Sequence, residues 1–232
     1  MITIDDNFPL LNRLDLIIPI GITRLSGREP EITCYPELKD LALMLDRLPH
    51  DRLFERETLS LITKRASECP TLNGYLPDSE HFCDFSYIYR LDSANDLCEG
   101  LITDQTVQIT KESVYENLTD TEPDMLDDGA LIFGTVENGR IVSVAFENPR
   151  FGEDDGGTAD VGVETADSFT GKGYGKSNTA ALCKALLGLK KSVIYIAQSS
   201  NIPSLKIAEA VGFSRYGYEF QLAMYKQQPD TL

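Results

Sequence analysis

The sequence is poor in the residues that carry most metal and triad chemistry. It has two histidines, His50 and His81, and five cysteines, none of them in a C-x-x-C pair. A Ser-His-Asp triad or a histidine-rich metal centre has little to build on, and no metal is expected. The cysteines (Cys34, Cys69, Cys83, Cys98, Cys183) are odd in number and widely spaced. They read as free thiols in a reducing compartment, not as disulfides or a zinc site. Long apolar runs are missing too, and nothing approaches the ~18 uninterrupted apolar residues of a membrane span. Asp5, Asp6, Arg13 and Asp15 interrupt the apolar start of the chain, which has no basic leader. The expectation is a cytoplasmic protein that does not enter the membrane. Positive charge is also scarce: 21 Lys and Arg stand against 37 Asp and Glu, for a formal net charge of -16. Such a chain is repelled by phosphate backbones, which disfavours nucleic-acid binding. The same field attracts cationic substrates such as amines, although solubility alone also accounts for it.

What is present is enough apolar material for a core, 42% of 232 residues, in one large domain or a domain with an extension. Residues 1–35 read as irregular. After Pro36, the residues Leu38, Leu41, Ala42, Leu45 and Leu48 recur at three- and four-residue steps, which predicts an amphipathic helix. Leu59, Ile62 and Ala66 predict a second over residues 57–68, ended by Cys69-Pro70. Residues 1–81 are therefore expected to form a mainly helical extension: a cap, a dimerisation element or a decayed copy of the following domain, with the cap preferred. A homodimer stays open on this reading.

From residue 82 the pattern turns mixed. A strand is predicted over 82–91 and a helix over 94–102. An acidic, turn-rich stretch covers 120–129. The clearest hairpin follows, with strands at 130–136 and 141–146 around Asn138-Gly139. An acidic loop spans 147–157. Then come a strand (158–163), a glycine loop (171–175), a helix (176–189), a strand (192–198), a short helix (203–211) and two closing strands (213–224).

The segment Thr170-Gly171-Lys172-Gly173-Tyr174-Gly175-Lys176 lies between a strand and a helix. Glycines let the backbone approach a ligand closely, and the free N–H groups of the following helix favour a phosphate. A flexible turn is the alternative reading. A P-loop is one residue short, because Thr170 stands at the place of its first glycine. A dinucleotide fingerprint fails because the third glycine comes one residue early.

Val161 and Val163, followed by Thr170-Gly171-Lys172-Gly173-Tyr174-Gly175, resemble the acetyl-CoA signature of the GCN5-related N-acetyltransferases (GNATs), a strand and then Q/R-x-x-G-x-G/A opening a helix. Ala197-Gln198, Asn201-x-x-Ser204 and Gly212-Phe213 resemble the family's next block. The resemblance spans roughly 82–226. It implies an α+β fold with a central mixed, mostly antiparallel sheet flanked by helices over 82–232. It also implies acyl transfer from acetyl-CoA, or another acyl-CoA, to a primary amine of a small molecule or peptide. The strands at 158–163 and 192–198 would run parallel and splay apart. The backbone near Val161, Val163 and Glu164 would hold the pantetheine arm and thioester, and the pyrophosphate would rest on Gly171, Lys172, Gly173, Tyr174, Gly175 and Lys176. Asn201 would either bind the cofactor arm with Ser204 or simply cap the short helix. Glu164, and then Asp160, are the candidate bases, each with a solvated strand residue as the alternative. Two positions depart from the pattern. Thr170 replaces a long polar residue, and Ala208 stands where many members place a tyrosine general acid. Tyr195, Tyr216 and Tyr218 are the candidates to replace that tyrosine, and an inactive acyl-CoA-binding regulatory protein is the competing reading. Cys183 falls on an apolar helix stripe and is expected in the core.

Overall fold

The computed structural model describes residues 1–5, 16–77, 84–110, 130–148, 157–189 and 191–227. In chain order the elements are β1 (Ile2–Ile4), β2 (Leu16–Ile17), β3 (Ile20–Leu25), β4 (Glu31–Cys34), α1 (Lys39–Leu45), α2 (Arg56–Ser67) and β5 (Tyr75–Pro77). They continue with β6 (Ser86–Leu91), β7 (Thr106–Gln108), β8 (Ile132–Glu137), β9 (Arg140–Asn148), β10 (Thr158–Thr165), α3 (Tyr174–Gly188), β11 (Ser192–Gln198), α4 (Ile202–Val211), β12 (Ser214–Gln221) and β13 (Met224–Lys226). The chain divides into two units. The first comprises Met1–Tyr87, Gln198–Ser200 and Tyr216–Leu232, and the second Ile88–Ala197 and Asn201–Arg215.

In the first unit, β3 pairs antiparallel with β4 and with β12, and β1 joins β4 in parallel. A small separate sheet sets β13 between β2 and β5. The two helices form where the apolar spacing predicts them. Leu41, Ala42 and Leu45 of α1 and Leu59, Ile62 and Ala66 of α2 are buried with Ile20, Ile22, Ile32, Phe220, Leu222 and Met224. The charges at the ends of α2 suit its dipole, with Glu57 in the first turn and Lys64 and Arg65 in the last.

The unit is nevertheless not mainly helical, and the described part of residues 1–35 holds the strands β1 to β4. Ile20 and Ile22 alternate with Gly21 and Thr23 along β3 and bury one face against the helices. The pattern is too short to stand out, and the partner that completes it, β12, lies almost 200 residues later (Ile22↔Phe220). The boundary expected at residue 82 moves for the same reason, because the C-terminal strands return to this unit.

In the second unit the sheet order is β6-β11-β10-β9-β8-β7. The β8–β9 hairpin turns at Asn138 (φ 52) and Gly139 (φ 78), the left-handed pair that its twist requires. Buried Ala180, Leu182, Cys183 and Leu186 form the inner stripe of α3. Burial pushes the Cys183 thiol up, so it stays protonated and inert. Gly162 has no side chain because the Phe146 ring fills that place, 2.4 Å from where its Cβ would lie. The helix expected over 94–102 is absent; turns and a short 3-10 turn, Glu99–Leu101, stand there. Asp96 O and Leu97 crowd Gly212, where α4 ends at φ 113, so this segment is shaped by packing against a helix end. The acidic stretches at 120–129 and 153–155 lie outside the described residues, as do His81 and Cys83.

Candidate functional site

The parallel ladder between β10 and β11 has three pairs, Thr158↔Ser192, Ala159↔Val193 and Asp160↔Ile194. Beyond it β10 continues to Thr165, still paired with β9 on its other edge. The two strands thus part after Asp160 and Ile194. Two backbone hydrogen bonds fix which groups face the gap. Ala166 N–H donates toward β9, to Val142 O, whereas Gly157 O accepts from Ser192 N–H on the β11 side. A strand alternates with a period of two, so beyond the ladder the C=O of Val161 and the N–H and C=O groups of Val163 and Thr165 point at the parted edge.

That edge leads into a cleft of about 390 Å³. Val163 and Thr165 line it from β10, and Phe169 to Gly171 and Gly173 to Lys176 from the glycine loop and the first turn of α3. Asn201, Pro203, Ser204, Lys206 and Ile207 line it from α4.

Gly171 (φ 77) and Gly173 (φ 88) hold left-handed conformations, and a Cβ on either would meet nothing within 4 Å. Gly173 is the N-cap of α3 and offers no side-chain cap. The first intrahelical bond is Ser177 N–H to Gly173 O, which leaves the N–H groups of Tyr174, Gly175 and Lys176 without a helical acceptor. Together with the dipole, these donors favour an anion at this end of the cleft. Lys176 and Lys206 add positive charge and have no carboxylate partner among the described residues.

The loop is held from below. Glu137, at the end of β8, accepts a hydrogen bond from the Tyr174 hydroxyl and pairs with Lys172 Nζ at 3.4 Å. Lys172 also lies over the Phe169 ring, 4.5 Å from its centroid, so it braces the loop and does not line the cleft. The Tyr174 hydroxyl, and then Lys172, hold the Glu137 carboxyl below the usual range, and the Tyr174 phenol is raised in return.

A buried polar network fixes the first turns of α3. Asn178 Oδ1 accepts from Thr106 Oγ1 and Thr135 Oγ1, and its Nδ2 donates to Ser143 O and Oγ. Ser143 Oγ in turn meets Thr165 Oγ1 at 2.8 Å and donates to Glu164 O. On the facing wall, Asn201 Oδ1 caps α4 by accepting from Ser204 N–H at 3.1 Å. Ser204 Oγ sits 2.6 Å from the hydroxyl of Tyr195, a residue 2% exposed whose phenol burial raises to about 12.

The sequence-derived residues are thus only partly brought together. Val163, Thr170, Gly171, Gly173, Tyr174, Gly175, Lys176, Asn201 and Ser204 share the cleft; Val161, Lys172, Glu164 and Asp160 do not line it. Glu164 and Asp160 alternate with Val163 and Val161 and so project from the opposite sheet face to Val163, the one away from α3. Sequence reasoning missed Thr165, Phe169, Pro203, Lys206 and Ile207. Ile207 was readable in principle, three residues beyond Ser204 on the same helix. Thr165 was not, because its place depends on where the ladder stops.

No protein-family model matches this sequence, and no curated protein matches it. Solved structures do. A GCN5-related N-acetyltransferase-like protein from Streptococcus suis aligns over 90% of this chain and 88% of its own, with a TM-score of 0.51 at 16% identity. A GNAT-family protein from Novosphingobium aromaticivorans (TM-score 0.47, 15% identity, 67% of this chain and 69% of its own) is more distant. So is a GNAT-family acetyltransferase from Colwellia psychrerythraea (TM-score 0.45, 12% identity, 94% of this chain and 90% of its own). The first of these alignments shows that the chain has the fold of the GCN5-related N-acetyltransferases, an α+β architecture on a mixed sheet.

Proposed function

Starting from that fold, we propose that the protein is an acyl-CoA-dependent N-acyltransferase that moves an acetyl group from acetyl-CoA to a primary amine. One observation carries the reading. The edge that β10 exposes after Asp160 runs into the same cleft as the uncapped N-terminus of α3. An extended chain ending in a pyrophosphate needs both a strand edge and a nest of N–H donors, in that order.

In this reading the N–H groups of Gly173 to Lys176 hold the pyrophosphate, and Lys176 and Lys206 neutralise its charge. The backbone of Val161, Val163 and Thr165 pairs with the pantetheine arm. Bound acetyl-CoA supplies the activated acyl group. The Val163 N–H donates to the carbonyl oxygen as it becomes an oxyanion, an interaction worth about 2.7–4 kcal/mol in other acyl-transfer sites. Glu164, with Asp160 behind it, accepts the proton of an amine that approaches from the sheet face away from α3. The net charge of -16 suits a cationic acceptor. That both carboxylates lie outside the cleft favours a second reading, an acyl-CoA-binding protein without turnover.

Calorimetric titration with acetyl-CoA tests the proposal, using Gly173→Glu and Gly173→Gln variants. Open space at Gly173 admits either side chain, and both carry the same left-handed strain of about 1–2 kcal/mol. Only the glutamate adds a charge against phosphate. Saturable binding that Gly173→Gln weakens and Gly173→Glu abolishes is the expected result. No binding of acetyl-CoA, CoA or longer acyl-CoAs by the wild type overturns the reading. Binding without thiol release across an amine panel selects the second one.

A further inference from the structure

Four hydroxyls line the cleft, on Thr165, Thr170, Tyr174 and Ser204, and the protons of three are already committed. Thr170 Oγ1 donates to Asp167 O, and Tyr174 donates to the Glu137 carboxylate. Ser143 Oγ gives its own proton to Glu164 O, so the contact between Ser143 and Thr165 is made with the proton of Thr165.

Ser204 differs. Its partner, Tyr195, has no other hydrogen bond among the described residues. A phenol is a stronger acid than an alkanol and therefore the better donor, so Tyr195 gives its proton to Ser204 Oγ. The Ser204 hydroxyl hydrogen is left without an acceptor among the described residues, on a residue that lines the cleft. The position is equally specific. Tyr195 is the first residue of β11 after the ladder closes at Asp160↔Ile194, so the pair is anchored where the strands part, on a different element from the phosphate cradle.

We infer that Ser204, oriented by Tyr195, donates a hydrogen bond to the sulfur of coenzyme A as it leaves. The inference rests on the acyl-transfer reading. In the step, the amine nitrogen bonds to the acyl carbon and the C–S bond breaks. Sulfur departs with the electron pair, and the amine's proton passes to Glu164, as in that reading. Ser204 keeps its proton throughout and stabilises the thiolate by donation. Tyr195 is a positioning residue, since it touches Ser204 and not the sulfur. Its phenol, raised by burial, stays neutral across the working pH range, so the orientation of the pair does not titrate. The Ala208 side chain has no proton to give, and Ala208 is a fully buried residue of the same helix.

The test reads the thiol of bound coenzyme A directly and needs no knowledge of the acceptor. The ultraviolet absorbance of the thiolate is titrated against pH for coenzyme A free, bound to wild type, and bound to Ser204→Ala and Tyr195→Phe. A hydrogen bond to a charged acceptor should lower the bound thiol pKa by about 1–2 units in the wild type. Ser204→Ala should restore the solution value, and Tyr195→Phe should restore part of it. Ser204→Ala also leaves the buried Tyr195 hydroxyl unpaired, so Tyr195→Phe, which keeps Ser204, guards against a folding defect, with melting curves for both. Coenzyme A that binds but titrates identically on wild type and Ser204→Ala overturns this inference and leaves the transferase reading standing. Failure of the wild type to bind coenzyme A overturns both.

Discussion

Replacing Asn178 by leucine should cost the protein about 3–4 kcal/mol, and the structure shows where that energy sits. The Asn178 amide makes four hydrogen bonds at 3.0–3.1 Å, accepting from Thr106 and Thr135 and donating twice to Ser143. Leucine has a similar volume, so no cavity opens. Thr135 is 0% exposed, and its hydroxyl has no other hydrogen-bond partner among the described residues. Its orphaned hydroxyl costs about 1–3 kcal/mol. Thr106 keeps Ser177, and Ser143 keeps Thr165 and Glu164 O, so the other three bonds cost only their net worth of about 0.5–1.5 kcal/mol each. Burial of the leucine methyl groups offsets part of the sum. Set against a total stability of about 5–15 kcal/mol, the loss shows clearly as a lower urea midpoint. Circular dichroism and tyrosine fluorescence should be followed together, because two units need not unfold as one. A double-mutant cycle sharpens the test. Thr135→Val alone removes a donor that Asn178 uses, whereas in the leucine background it removes an orphan and should restore about 1 kcal/mol. A loss below about 1 kcal/mol for Asn178→Leu, or a Thr135→Val effect equal in both backgrounds, would refute the reasoning.

Two further predictions follow from the same unit. Gly212→Ala places a Cβ 2.0 Å from Asp96 O at φ 113, so clash and left-handed strain together should cost about 2–4 kcal/mol; a melting temperature equal to the wild type would contradict this. Glu137→Gln should lower the melting temperature at neutral pH only. The folded Glu137 carboxyl is held down, first by the Tyr174 hydroxyl and then by Lys172. Its contribution is therefore present above the ordinary glutamate range and is lost as the pH falls through the lowered value. The gap between wild type and variant should close on acidification, and a constant gap would show that the carboxylate is not the source.

Much of the second unit was legible because its signals are local. Asn138-Gly139 sets the hairpin, and glycines at 171 and 173 with an uncapped helix start define the glycine loop. Asn201 and Gly212 mark the two ends of α4. Each depends on a few consecutive residues, so the chain carries it without knowing its neighbours. The expected 94–102 helix failed because its propensity is weak and the segment packs on the end of α4, with Cys98 N–H donating to Val211 O. The strands of the first unit were illegible for another reason. Short apolar alternations become strands only when an edge is available, and β12 supplies that edge from the far end of the chain.

The sequence alone determined the backbone chemistry of the site: the left-handed glycines, the uncapped donors and the helix caps, all set by side-chain identity within a turn or two. Tertiary structure decided which side chains share the cleft. Lys172 was turned away to Glu137 and Phe169, and Ser204 was joined to Tyr195 across nine residues. Glu164 and Asp160 were set on the sheet face away from α3, and Thr165 was brought to the cleft floor where the ladder ends at Asp160. Those outcomes depend on strand register and on where two strands part, quantities fixed by long-range pairing and packing that no single stretch of residues encodes.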